Sequence, residues 1–177
     1  MAKTIRWLNL CSGECHAIDT LSTVSARVIS RHEASEVILS EELFDRISDD
    51  SVSKDDFTMP DDLFIGVFDN GIIAGFFWIT PTNSITVDVH CNILMDYRKN
   101  AVEYSKEFVR FMCNNYAGRI NKLNCKIPVI FKDVYGFAKK CGFLDEGIDR
   151  QSILKNGEIL DRYILGATLK ELKKWAE

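Results

Sequence analysis

The chain has 177 residues, which suits one domain and leaves too few for two comfortable cores. Its 46% apolar and 27% charged content is that of an ordinary folded domain rather than a disordered or fibrous chain. With a net charge of −4, no Lys/Arg run, and no stretch near the roughly 20 apolar residues of a membrane helix, nothing points to nucleic acid or a bilayer.

The opening Met1-Ala2-Lys3-Thr4-Ile5-Arg6-Trp7 lacks the apolar core of a signal peptide, so a cytoplasmic location is expected. The six cysteines are scattered, mostly among apolar neighbours, and read as reduced, small hydrophobes. Cys11, Cys15 and His16 are the one grouping to test as metal ligands. A structural zinc site needs four ligands in paired short spacings, and His32 alone supplies no second pair. No metal is expected.

In chain order, residues 4–10 have strand-like apolar content and are expected to open the sheet. Residues 17–44 read as mostly helical, with Asp19 or Thr20 as a cap and a second helix starting at Ser40. The acidic stretch 49–56 reads as a solvated loop. Residues 63–68 form an apolar strand, Asp69-Asn70-Gly71 a turn, and residues 72–80 the returning strand. Asn-Gly between apolar runs signals a hairpin because both residues tolerate positive φ. After the turn at Pro81-Thr82-Asn83-Ser84, residues 85–93 alternate apolar and polar and complete an antiparallel meander.

Residues 101–116 place Glu103, Lys106, Glu107 and Arg110 on one helical face and Val102, Phe108, Val109, Phe111 and Met112 on the other. Residues 123–127 read as a strand ending before Pro128, and residues 131–140 as a helix stopped by Gly142. Lys155-Asn156-Gly157-Glu158 turns a terminal hairpin, and residues 169–175 form a short amphipathic helix.

Two segments carry a resemblance. Asp96-Tyr97-Arg98-Lys99-Asn100-Ala101-Val102-Glu103, between a strand and a helix, resembles the Arg/Gln-x-x-Gly-x-Gly/Ala loop of the GNAT superfamily of N-acetyltransferases. Phe137-Ala138-Lys139-Lys140-Cys141-Gly142-Phe143 is similar to that family's Leu-Tyr-x-Lys-x-Gly-Phe segment. The resemblance, over about residues 61–166, implies an α/β (α+β) fold, a mixed, mostly antiparallel central sheet flanked by helices. It implies transfer of an acetyl group from acetyl-CoA to a small-molecule or protein amine. The cofactor would lie on Ile93, Arg98, Lys99, Asn100, Ala101 and Glu103.

The departures from the pattern matter. Small residues in such a loop let backbone amides at a helix start approach a pyrophosphate. Here Ala101 replaces the first glycine and Glu103 the second small residue. Glu103 adds bulk and like charge, which weakens acetyl-CoA binding, or it simply begins the polar helix face and pairs with Lys106. The family's proton-donating tyrosine falls at Ala138, and its asparagine at Phe131. Tyr135, one turn earlier, is the alternative acid.

For a base the candidate is His90, which shares a strand face with Asp88 and Asn92. An imidazole titrates near neutrality, and Asp88 would orient it or attract a cationic acceptor. These departures also admit a second reading, a GNAT-like protein that binds without catalysis. The Arg-x-x-Ala loop with a strand histidine is similar to divergent GNAT-like proteins of tailed bacteriophages, for which the location would be the host cytoplasm. The terminal hairpin and the Trp175 tail pack either on their own core or on a homodimer or protein partner.

Overall fold

The structure, a computed structural model, describes residues 24–177. The strand expected over residues 4–10, the caps at Asp19 and Thr20, and Cys11, Cys15 and His16 lie outside these residues. The helix expected over residues 17–44 is corrected. Val24–Val28 is a strand, β1, and only then come two short helices, α1 (Arg31–Ile38) and α2 (Glu41–Ile47). Val24-Ser25-Ala26-Arg27-Val28 carries β-branched and apolar residues at alternate positions, which suits a pleated edge better than a helix. Ser30 starts α1 through a capping box: its Oγ accepts from the Glu33 amide, and Glu33 accepts from the Ser30 amide at 2.8 Å. The second helix does start after Ser40.

The meander stands as expected: β2 (Leu63–Asp69), β3 (Ile72–Pro81) and β4 (Thr86–Ile93) pair antiparallel in succession. Asn70 and Gly71 both take positive φ (50° and 80°) at the first turn. A 3-10 turn (Met95–Asn100) then feeds α3 (Ala101–Tyr116), followed by β5 (Lys122–Pro128) and α4 (Lys132–Lys140). β6 (Leu144–Lys155), β7 (Glu158–Thr168) and α5 (Leu169–Ala176) end the chain. Thr168 caps α5 with a second capping box.

The strands form one seven-stranded sheet in the order β1-β2-β3-β4-β5-β7-β6. All neighbours are antiparallel except β4 and β5. One face packs on α3 and α5 around Ile79, Leu123, Phe108, Met112 and Leu172. Phe77 and Phe108 stack there with centroids 4.0 Å apart. The other face packs on α1 and α2 around Ile38, Leu43, Phe64 and Phe76. Tyr104 is a core residue that the helix-face reading did not assign. It is fully buried, and its hydroxyl donates to Asp69 at 2.7 Å.

The acidic stretch is more than a solvated loop. Asp49 Oδ2 accepts from the Leu154 amide at 3.0 Å, and Asp50 Oδ2 from the Gly157 amide at 2.7 Å. Lys155 is buried, and its ammonium donates to the carbonyls of Asp45 and Ser48. A cation there meets the negative end of α2 and ties it to the terminal hairpin. Trp175 packs against the chain's own core, with Nε1 donating to the Lys140 carbonyl at 2.8 Å.

Candidate active site

The feature that organises the site is a split in the sheet. β4 and β5 are paired only at Thr86–Lys122, Val87–Leu123 and Asp88–Asn124. Beyond Asp88, β5 continues its ladder with β7 through Pro128, while β4 keeps its partner β3 through Ile93. Both strands therefore turn unshared backbone edges toward a cleft of about 420 Å³. Its wall includes Val89 to Ile93 on one side and Cys125 to Pro128 on the other. Helix α4 contributes Val134, Phe137 and Ala138, and its C-cap Cys141 continues the same spacing of three and four residues along one face.

His90 lies two residues past the last β4–β5 pair and lines the cleft. Its ring rests against Trp78, the residue opposite on β3, with centroids 5.2 Å apart. The residue is exposed to solvent through the cleft, yet the mass of protein around the ring strips away enough hydration to lower its pKa below the usual 6.5. Asp88 and Asp62 oppose that shift, and Lys126 and Arg162 add to it. The imidazole is thus neutral near pH 7 and able to accept a proton.

Asp88 does not act alone with His90. It pairs with Lys126 at 3.2 Å and accepts from Thr82 Oγ1 at 3.2 Å. Asn92, on the same face, is fully buried. Its Nδ2 donates to the His90 carbonyl at 3.2 Å, while Oδ1 has no partner. Leaving a buried acceptor unpaired costs roughly 1–3 kcal/mol, and that cost falls beside the cleft.

Three thiols, those of Cys91, Cys125 and Cys141, also line the cleft, so Cys91 is an exposed wall residue rather than a packed core one. Loss of hydration pushes the thiol of Cys125 up to about 12 and that of Cys141 to about 11, and raises Cys91 as well. All three stay protonated at pH 7, which makes them poor nucleophiles for relaying an acyl group. Among the described residues no cluster of three His, Cys, Asp or Glu is arranged to hold a metal ion.

At the mouth, Arg98 lines the cleft and its Nε donates to the Ile93 carbonyl at 3.3 Å. Lys99 is exposed, and Asn100 is engaged with Tyr104 rather than capping α3. The 3-10 turn closes on itself: the Tyr97 amide donates to Leu94 O at 3.0 Å and the Ala101 amide to Arg98 O. Ala101 is buried. Glu103 turns outward and faces Lys106 at 3.8 Å, as the polar-face reading expects, and it is not part of the cleft wall.

No family model matches the sequence, and a search of curated proteins finds no match. Solved structures do match. A chimera of the spermidine N-acetyltransferase SpeG from Vibrio cholerae and hSSAT superposes with a TM-score of 0.68 at 14% identity, over 85% of this chain and 98% of its own. The Vibrio cholerae spermidine N-acetyltransferase in complex with CoA and spermine gives 0.67 at 12% identity, over 85% and 98%. An acetyltransferase of the GNAT family from Streptococcus pneumoniae gives 0.61 at 17%, over 82% and 98%.

The chain has the GNAT fold.

Within that GNAT framework the structure brings His90, Asp88, Ile93, Arg98 and Ala101 to one region, around the split and its mouth. It does not bring Tyr135 there. The Tyr135 hydroxyl donates to Asp145 at 2.9 Å, its ring lies 4.5 Å from Tyr163, and it is not on the cleft wall. The reason is helical geometry. Ala138 sits on the inward face with Val134 and Cys141, and Tyr135 lies about 60° farther round, beyond its edge. The reading as a relocated acid is corrected accordingly. Arg46, Lys126 and Arg162, which the sequence reading did not select, also line the cleft.

Proposed function

We propose that the protein transfers an acetyl group from acetyl-CoA to an amine, with His90 as the general base and with a weakened cofactor loop. The observation that carries this reading is the split of β4 from β5, with His90 on the cleft wall just past the branch point. Acetyl-CoA bound there would supply the acetyl group as an activated thioester. The unshared edges of residues 89–93 and 125–127 offer N–H and C=O groups to an extended, amide-bearing arm, so this part of the site fits the cofactor. His90 would accept, directly or through water, the proton that the amine sheds as its nitrogen bonds the acetyl carbon and the carbon–sulfur bond breaks. Asp88, its oxygens engaged by Thr82 and Lys126, would act on the imidazole through its charge rather than through a hydrogen bond.

The pyrophosphate end fits less well. Amides that would meet phosphate are partly used inside the 3-10 turn, and Glu103 adds a carboxylate in the first turn of α3. Ala138 offers no proton where the family tyrosine would stand. These features favour weak cofactor binding and slow turnover. They also support the second reading, a GNAT-fold protein that binds a ligand or protein partner without catalysis.

The exposure of Glu103 decides the size of its effect. A charge at a solvated helix start is worth about 0.3–1 kcal/mol, so it tunes affinity and does not abolish it. Titration calorimetry with acetyl-CoA is expected to show one site per chain, with Glu103→Gln binding about two- to fivefold tighter. Absence of binding in both proteins would refute the acetyl-CoA reading.

A further inference from the structure

Resting on the acyl-transfer reading, the cleft also says what kind of amine it is shaped to take. The register of β5 with β7 sets Lys126 opposite Ile164 and Pro128 opposite Arg162, so Lys126 and Arg162 project from the same sheet face. The ion pair of Lys126 with Asp88 identifies that face as the one carrying His90. Arg46 enters from α2, stacked 5.3 Å over Phe131. Among the described residues, this side of the wall thus presents Arg46, Lys126 and Arg162 against one carboxylate, Asp133. The carboxylates paired with the other two cations, Asp88 and Asp149, are not on the wall. The cleft meets the positive ends of those pairs.

Arg162 is held ready. Its Nε donates to Ser152 Oγ at 2.9 Å and its Nη2 to Asp149 at 2.8 Å. A guanidinium has five N–H donors, so three remain to meet a ligand. Lys126 spends one of its three on Asp88. A fixed guanidinium beside an ammonium suits carboxylate or phosphate oxygens. Lys126 and Arg162 both lie close enough to His90 for their charges to act on its ring, so an anion held by them shares the cleft with an amine at His90. A polyamine, in contrast, would set its second ammonium against these cations.

We infer that the acceptor is a primary amine bearing its own carboxylate or phosphate, with the amine at His90 and the anion at Arg162 and Lys126. Matched probes test this by binding, independently of turnover: phosphoethanolamine against ethanolamine, β-alanine against propylamine, and spermidine. In NMR titrations each anionic member is expected to bind at least tenfold tighter than its partner. Arg162→Met is expected to narrow that gap below threefold, chiefly by weakening phosphoethanolamine, and Lys126→Met serves if that variant fails to fold. Equal or tighter binding of ethanolamine or spermidine would overturn the inference, as would a gap that both variants leave intact. Acetyl transfer measured in the same samples separates the two claims. Phosphoethanolamine bound but never acetylated contradicts the reaction and supports the ligand class. Ethanolamine acetylated as fast as phosphoethanolamine supports the reaction and overturns the class.

Discussion

Gly75→Ala is expected to destabilise the fold by about 4 kcal/mol or more, the exceptional end of single-substitution effects. Gly75 sits at a bulge of β3, where the register with β2 shifts between Val67 and Phe68. It pairs with Ile93 on β4, and its φ is +156°. A Cβ there would lie 2.2 Å from the Asn92 carbonyl oxygen and 2.8 Å from the Ile93 Cα. Both obstacles are backbone, so no rotamer change relieves them and the two strands must part. The end of β4 is what aims Ile93 and the following turn at the cleft, so the damage would reach the site. For a chain of this size, about 4 kcal/mol corresponds to roughly 8–16 °C in Tm. Gly71→Ala is the control: its φ is +80°, but nothing lies within 4 Å of the added carbon. It should cost only the roughly 1–2 kcal/mol of left-handed strain. Thermal melts showing equal losses for the two variants would refute the packing argument.

His90→Ala is expected to lower kcat for amine acetylation by about 10²- to 10⁴-fold, the range of a positioned general base, with the affinity for acetyl-CoA unchanged. Because burial lowers the histidine's pKa, protonation is disfavoured in the folded protein. The base form is then fully present above 6.5 and is lost as pH falls through the folded value. The acidic limb of the rate profile should accordingly lie below pH 6.5 and vanish in His90→Ala. The same linkage makes the stability contributed by the neutral ring persist above 6.5 and fade in acid. A His90→Ala protein with full activity would remove the residue from the mechanism.

What the sequence made legible was local chemistry. Asn70-Gly71 and Asn156-Gly157 fix their turns through residues that accept positive φ, and both hairpins stand where expected. The charged row on α3 marks its solvent face, and the Glu103–Lys106 contact follows from it. What failed depended on distant partners. β1 is short, and its strand character is settled by the free edge of β2 rather than by its own five residues. Asp49 and Asp50 look solvated until the hairpin amides of Leu154 and Gly157 are beside them. Tyr135 was misplaced because a three-residue offset straddles the boundary of a helix face. Lys126 and Arg162 reach the cleft wall only once β7 inserts beside β5, and no local pattern announces that insertion. The place of His90 on that wall is legible because strand alternation suffices.

The most direct test of a cofactor site at the split is amide chemical-shift mapping of the labelled protein during titration with acetyl-CoA. Saturable shifts are expected, concentrated in residues 89–93 and 125–127, with Ala138 and Arg98 following at the same midpoint. Shifts confined to other surfaces, or none at millimolar ligand, would contradict it.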